Sequence, residues 1–381
     1  MKRLTVLTAI VLAAFLASAC DDEEPLGPAE AENTEVEEFD QMDEHRWGFI
    51  LGRPIRVMTR NLYVGADLDP IVEAAAAGAS MEEIAELVDV AFQTLMITNY
   101  PERAAAFADE IERSRPHMVG LQDVSIIEAA GATLDFLAIL QYELAQRNLD
   151  YRVAGMIKNI DLTVPSGAVG FVRLVDYDVV LARGDVEISN VREQNYWARL
   201  EFDLGGIPLV IGRGWVGVDA RVGNRRFRFV GTHLEPASPL IQQLQAAELM
   251  DTLDNVDMPV VLVGDLNTRA DGSTTPTYAT LLDEGYVDVW TRRLGRPDEG
   301  FTCCHAADLS NPVQQFYERI DFILVKNETV VSQRFAVGAI VNAWIVGEEQ
   351  RDRTPSGLWP SDHGGVVARF RIPLGRKHSM R

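Results

Sequence analysis

Six short runs along the chain pair an apolar stretch with a polar side chain at its edge: "RVMTRN", "VGLQDV", "FVGTHLE", "VVLVGDLN", "RIDFILV" and "WPSDHGGV". Alternating or wholly apolar runs of this length predict strands, bounded here by residues that a buried strand would not choose for packing. The polar members are Asn61, Asp123, His233, Asp265 with Asn267, Asp321, and Asp362 with His363. Each is expected at the downstream end of its strand, where a rigid mount can turn a side chain into a cleft. A chain with so many strand ends of this kind is constrained to a sheet architecture whose ends converge.

Between the strands, Asp69 to Ala77, Met81 to Ile97, Pro101 to Arg113, Thr133 to Arg147, Pro239 to Leu253 and Thr277 to Glu284 carry helix periodicity, with Ser80 and Asn99 placed as caps. Further strands are predicted over Ile55 to Thr59, His117 to Val124, Tyr151 to Ala154, Asp178 to Leu181, Tyr196 to Phe202, Leu209 to Ile211, Trp215 to Val222, Arg226 to Thr232, Val260 to Val263, Arg319 to Val325 and Gly365 to Ile372. Gly205-Gly206 and Gly223-Asn224 read as hairpin turns. Interspersed strands and helices, without an internal linker or repeat, predict one domain over residues 53–373 with two packed sheets covered by helices. Residues 374–381 form a tail.

The amino-terminal region has a different character. Lys2 and Arg3 precede an apolar run from Leu4 to Leu16, too short to cross a bilayer as a stable helix. Ala17-Ser18-Ala19 then leads to Cys20, so residues 1–20 resemble a bacterial lipoprotein signal in which Cys20 becomes the lipidated first residue. A plain secretory signal cut after Ala19 is the other reading. Residues 21–52 are dense in Asp and Glu and poor in large apolar residues, which predicts a disordered, self-repelling tether. The protein is therefore expected to be exported and anchored to a bacterial membrane through Cys20, or else secreted.

A formal charge of -22 disfavours loose, charge-driven binding to nucleic acid, which needs clustered Lys and Arg. Besides Cys20 the cysteines are the neighbours Cys303 and Cys304, read as a packed pair of loop thiols because adjacent residues bridge only in strained geometry.

Taken singly, the polar residues have plain explanations. Asp265 would begin a turn, His233 would be a satisfied core histidine, and Asp321 would pair with Arg319. Their conjunction points elsewhere: carboxylates, carboxamides and histidines without a serine or cysteine nucleophile, a set of hard donors suited to Mg²⁺ or Mn²⁺ beside a phosphate.

In their order along the chain, the six runs resemble the endonuclease/exonuclease/phosphatase superfamily, from about Ile55 to Ile372. The resemblance implies an α/β (α+β) fold, a four-layer sandwich of two packed mixed β-sheets flanked by helices, similar to deoxyribonuclease. It implies a divalent-metal-dependent phosphoric ester hydrolase, acting as a monomer on a phospholipid head group, a nucleotide or nucleic acid, or a sugar phosphate. By the same resemblance Asp123, Asp362 and Asn61 hold Mg²⁺ or Mn²⁺, Asp265 orients or deprotonates the attacking water, and Asn267, His233 and Arg213 contact the phosphate. His363 meets the phosphate with Asp321 fixing its tautomer, and His233 also helps the leaving oxygen depart. Asp123 stands where the family usually has Glu, a side chain longer by roughly 1.5 Å. Tyr63 stands where some repair endonucleases carry a further metal-side Asp. The alternative is a surface-binding lipoprotein that keeps the scaffold with little or no turnover. Trp344 and Trp359 are expected to pack at the sheet edge, with a place on the cleft rim as the other reading.

Overall fold

In the computed structural model, described for residues 54–204, 207–293, 298–326 and 341–372, the central strand of the first sheet is β1 (Ile55–Asn61). It is buried along almost its whole length, with Val57 on one face and Met58 between Arg56 and Arg60 on the other, and it pairs in parallel with β2 (Met118–Ala129) and antiparallel with β15 (Gly365–Phe370). The sheet continues outward through β5 (Gly170–Arg183) and β4 (Tyr151–Ser166) on one side and β14 (Val341–Val346) on the other, with the short β3 (Ala132–Asp135) beside β2.

The second sheet has the order β12 (Val287–Asp288), β13 (Asp321–Lys326), β11 (Val260–Asp265), β10 (Arg225–His233), β9 (Gly214–Val222) and β6 (Glu187–Asn195). β7 (Leu200–Leu204) and β8 (Ile207–Ile211) pair with each other.

The two large sheets pack face to face through Val57, Met118 and Val180 from the first and Val216, Phe229, Val263 and Ile323 from the second. Each such side chain contributes roughly 1.5–3 kcal/mol when fully buried. Gly120 permits the close approach, since a Cβ there would stand 2.6 Å from the Val263 side chain. On the outer face of the first sheet lie α3 (Tyr100–Ser114) and α4 (Phe136–Gln146), whose Phe107, Ile111, Phe136 and Leu140 meet Val119, Leu121 and Leu181. On the outer face of the second lie α5 (Pro239–Leu253) and α6 (Thr277–Asp283), packed by Leu249, Leu253 and Leu281 against Val230, Leu262 and Leu324. Helix, sheet, sheet and helix make the expected four layers. The remaining helices, α1 (Asp69–Ala76) and α2 (Met81–Ile97), cover the far part of β4 and the β7–β8 pair.

Several local expectations are corrected. β2 does not stop at Asp123; it bulges between Leu121 and Val124 and runs on to Ala129. α4 begins at Phe136, not Thr133, because Asp135 caps it by accepting a hydrogen bond from the Ala138 amide. Tyr196 to Phe202 is no single strand, since β6 ends at Asn195 and β7 starts at Leu200. β4 and β5 form one long hairpin whose distal half, not predicted as strand, alternates an apolar face of Ile160, Leu162, Val164 and Val172 with polar residues. Arg319 pairs with Asp288 and not with Asp321.

Ser80 closes a capping box with Glu83, while Asn99 caps without a side-chain bond. Trp359 is fully buried on His305, and Trp344 is half-buried. Cys303 and Cys304 are joined as a disulfide, in contrast to the separate thiols expected; their Cα atoms lie 3.1 Å apart across a cis peptide. Residues 1–53, with the signal and tether, the Gly205-Gly206 turn and the tail 374–381 lie outside the described residues. Among those described, no helix is long and apolar enough to cross a membrane.

Candidate active site

Sheet topology decides which residues meet. β1, β10 and β11 deliver Asn61, His233 and Asp265 at their downstream ends, β2 delivers Asp123 from the bulge at its middle, and the parallel register sets His233 beside Asp265. β13 and β15 run the other way, so Asp321 and Asp362-His363 reach the same edge from the upstream ends of their strands; Asp265 and Asp321 are direct partners. The expectation that all six sit at downstream ends is thus corrected for these two strands and for β2, whose bulge carries Asp123 at mid-strand. Gly264 precedes Asp265 because β10 crowds this point: a Cβ at Gly264 would lie 1.9 Å from the Thr232 carbonyl oxygen.

Asp265 is the hub. Its Oδ2 accepts from Asn61 Nδ2 at 3.1 Å and lies 3.6 Å from His233 Nε2 and 3.7 Å from His363 Nε2. Its Oδ1 accepts from the Asn267 amide at 3.0 Å. Asn267 places its Nδ2 3.0 Å from His233 Nε2 and donates to the Leu234 carbonyl. His363 Nδ1 meets Asp321 Oδ2 at 2.9 Å, which directs its other nitrogen toward Asp265.

On the opposite flank His233 Nδ1 lies 3.0 Å from Arg213 Nη1 and 3.3 Å from Asp123 Oδ1. Arg213 Nε is in turn 3.5 Å from Glu235. Asp123 sits in the bulge at φ 54°, left-handed backbone that re-aims its carboxylate out of the strand. Asn61, Asp123, Arg213, His233, Asp265 and Asn267 are thus linked by contacts of 4.0 Å or less, Asp321 and His363 join them through Asp265, and Asp362 lies close enough to His363 and Asp123 to feel their charge.

The electrostatics show a surplus of buried negative charge. Burial, then the charge of Asp123, pushes Asp362 up to about 6 against the pull of His363. Burial and Asp321 likewise raise Asp265, against His363 and His233. For His363 burial disfavours the cation, but Asp321, Asp362 and Asp265 outweigh it and hold the imidazole well above its ordinary value. His233 is also raised: burial and Arg213 oppose its charge, and Asp123 and Asp265 prevail. Burial would raise Asp123, yet His233 and Arg213 draw it below the usual carboxylate range.

Hard oxygen donors beside an acid pair that repels itself fit a divalent cation. Asp123 and Asp362 supply two such donors, close enough for the charge of one to raise the other; the Asn61 carboxamide, expected as the third, donates to Asp265 through its nitrogen and accepts from the Tyr63 amide through its oxygen. Asp265, Asp321 and His363 also place ligand atoms within 4.8 Å of one another, and the Asp321 hydrogen bond to Nδ1 leaves Nε2 of His363 facing Asp265.

Residues not expected from the sequence complete the setting. Arg103, fully buried on α3, donates to the carbonyls of Leu62 at 2.7 Å, Pro360 at 3.0 Å and Tyr63 at 3.0 Å, so one guanidinium ties the loop after Asn61 to the loop before Asp362. Arg60 does the same for the His363 carbonyl while held by Glu110 at 2.9 Å. Ser361 Oγ donates to the Asn61 carbonyl and accepts from the His363 amide. Asp176 and Asp178 lie buried on β5 behind Asp123 and His233; burial pushes Asp178 up to about 8, and neither of its oxygens has a hydrogen-bond partner. Their signal was present as "VDYDVV", two acids on one face of an otherwise apolar strand.

A sequence profile described as the Endonuclease/Exonuclease/phosphatase family matches residues 90–363. An endonuclease/exonuclease/phosphatase family protein from Bacteroides thetaiotaomicron superposes with a TM-score of 0.52 at 15% identity, over 84% of this chain and 98% of that one. A mannosyl-6-phosphatase from Bacteroides thetaiotaomicron gives 0.50 at 15% identity, over 83% and 99%. D. rerio TDP2 complexed with a single-strand DNA product gives 0.50 at 17% identity, over 83% and 98%. At these identities the likeness is one of fold. No curated protein matches the chain.

Proposed function

The chain belongs to the endonuclease/exonuclease/phosphatase family, and from that premise we propose that it hydrolyses a phosphodiester by in-line attack of a water activated at Asp265, with Mg²⁺ or Mn²⁺ held by Asp123, Asp362 and Asn61. The observation that carries this reading is the placement of Asp265 Oδ2 within 3.7 Å of two imidazoles and a carboxamide, brought by β1, β10 and the segment that leads into β15.

A phosphodiester resists attack because its oxygens repel an incoming oxygen nucleophile. The bound cation supplies charge neutralisation at the phosphoryl group. Asp265, fixed through both oxygens and raised by burial and Asp321, accepts the proton of the attacking water. His363, kept protonated by Asp321, Asp362 and Asp265, donates from Nε2 to a phosphoryl oxygen and stabilises the charge that grows in the transition state. Asn267 and His233 hold a second phosphoryl oxygen, with Arg213 behind them adding positive charge. The same reading makes the protein exported and tethered to a bacterial membrane through Cys20, with the acidic segment as spacer.

Purified protein with Mg²⁺ or Mn²⁺ should hydrolyse bis(p-nitrophenyl) phosphate, and Asp265→Asn and His363→Ala should each remove that activity while leaving the circular dichroism spectrum intact. Equal inertness of the wild type and both variants across metals and substrate classes would favour the surface-binding alternative.

A further inference from the structure

Cys303 and Cys304 stand against the catalytic imidazole and take no part in the chemistry derived above. Cys303 is buried, with Sγ 3.6 Å from His363 Nε2. Cys304 is half-buried, with Sγ 3.8 Å from Glu318 Oε1, and the other Glu318 oxygen is held by Arg269. The two sulfurs and the His363 nitrogen lie within 4.8 Å of one another. Zinc binds thiolate at about 2.3 Å and imidazole nitrogen or carboxylate oxygen at about 2.0–2.1 Å, so two such ligands at a tetrahedral angle are separated by about 3.5 Å. The sulfur–nitrogen and sulfur–oxygen spacings here are close to that edge. Mg²⁺ would not choose this set, because paired thiolates select a softer ion.

We propose that, once the Cys303–Cys304 bridge is reduced, the two sulfurs, His363 Nε2 and Glu318 form a second cation site specific for a thiophilic divalent ion such as Zn²⁺, and that its occupation silences the hydrolase. A dithiol reductant delivers two electrons and two protons: the S–S bond breaks, two S–H groups form, and the reductant closes to its own disulfide. The ion then displaces a proton from each thiol and the proton from His363 Nε2, three in all, which pass to the solvent, and it takes the lone pair so freed on the atom that must face the phosphoryl oxygen. The bridged form lacks the thiolates and keeps the imidazole free. Silencing rests on the hydrolase reading; ion binding does not.

The test uses the full chain, reduced with a dithiol that is then removed under nitrogen, or left oxidised, with Co²⁺ alone as spectroscopic probe. A near-ultraviolet thiolate-to-cobalt band saturating at one ion per chain is expected only after reduction, displaced by Zn²⁺ and lost in Cys304→Ala and Cys304→Ser. In turnover with Mg²⁺, Zn²⁺ should inhibit reduced protein at least tenfold more strongly than oxidised protein, and the Cys304 variants should keep turnover while losing that sensitivity. Absence of the band from reduced protein overturns the proposal, as does zinc inhibition of equal strength in reduced, oxidised and Cys304-substituted protein. A band without any turnover in any form would leave the ion site standing and refute the hydrolase reading instead.

Discussion

Asp178→Asn removes one ionisable oxygen from the interior with almost no change of shape. The Asp178 carboxyl is 2% exposed, neither oxygen is hydrogen-bonded, and burial moves it from 3.8 up to about 8. A carboxyl whose folded value lies above its unfolded one keeps a proton that the open chain has lost. Its contribution is therefore without penalty below about pH 4, and stability falls as the pH rises until about 8, after which the loss is complete. A shift of about four units, at about 1.36 kcal/mol per unit, sets a ceiling of roughly 5 kcal/mol; relaxation and water entry will reduce it to a few. The asparagine cannot ionise and escapes this loss. Urea unfolding of metal-free wild type and variant at pH 4, 6 and 9 should show a gap that grows with pH, in favour of Asn, and flattens above about pH 8. A gap of the same size at all three values would refute the account of Asp178 as a buried carboxyl that holds its proton at neutral pH.

Arg103→Met should lower stability by roughly 3–5 kcal/mol, the cost of leaving three buried carbonyls without their charged donor; it should also raise the Mn²⁺ concentration for half-maximal binding, measured by electron paramagnetic resonance, since the loops after Asn61 and before Asp362 lose their shared tie. Gly264→Ala should cost about 3 kcal/mol or more in urea unfolding, because the added Cβ meets the unyielding Thr232 carbonyl.

The site was legible in the sequence because each of its residues interrupts an apolar run, and a buried strand does not end on Asp or His without a reason. Strand direction was not legible. Asp321 and His363 stand upstream of β13 and β15, and only the antiparallel pairing of those strands brings them to the edge where Asp265 lies. Arg103 and Glu110 gave no signal, since on an amphipathic helix rich in charge they read as solvent-facing, yet both are fully buried. β14 and the distal half of the β4–β5 hairpin were not predicted although their patterns suit strands: β14 has one polar residue, Asn342, and β4 alternates Ile160, Leu162 and Val164 with Asn159, Asp161 and Thr163. The Cys303–Cys304 bridge joins sequence neighbours, a spacing that argues for separate thiols.

The account turns on acids and imidazoles from distant segments sharing one cation and one phosphate. Crystals soaked in Mn²⁺ and measured at the manganese absorption edge test this most directly. The anomalous map is expected to show a peak bounded by Asp123, Asp362 and Asn61, absent from Asp362→Ala crystals. Peaks confined to exposed surface acids, with none among these three residues, would contradict it.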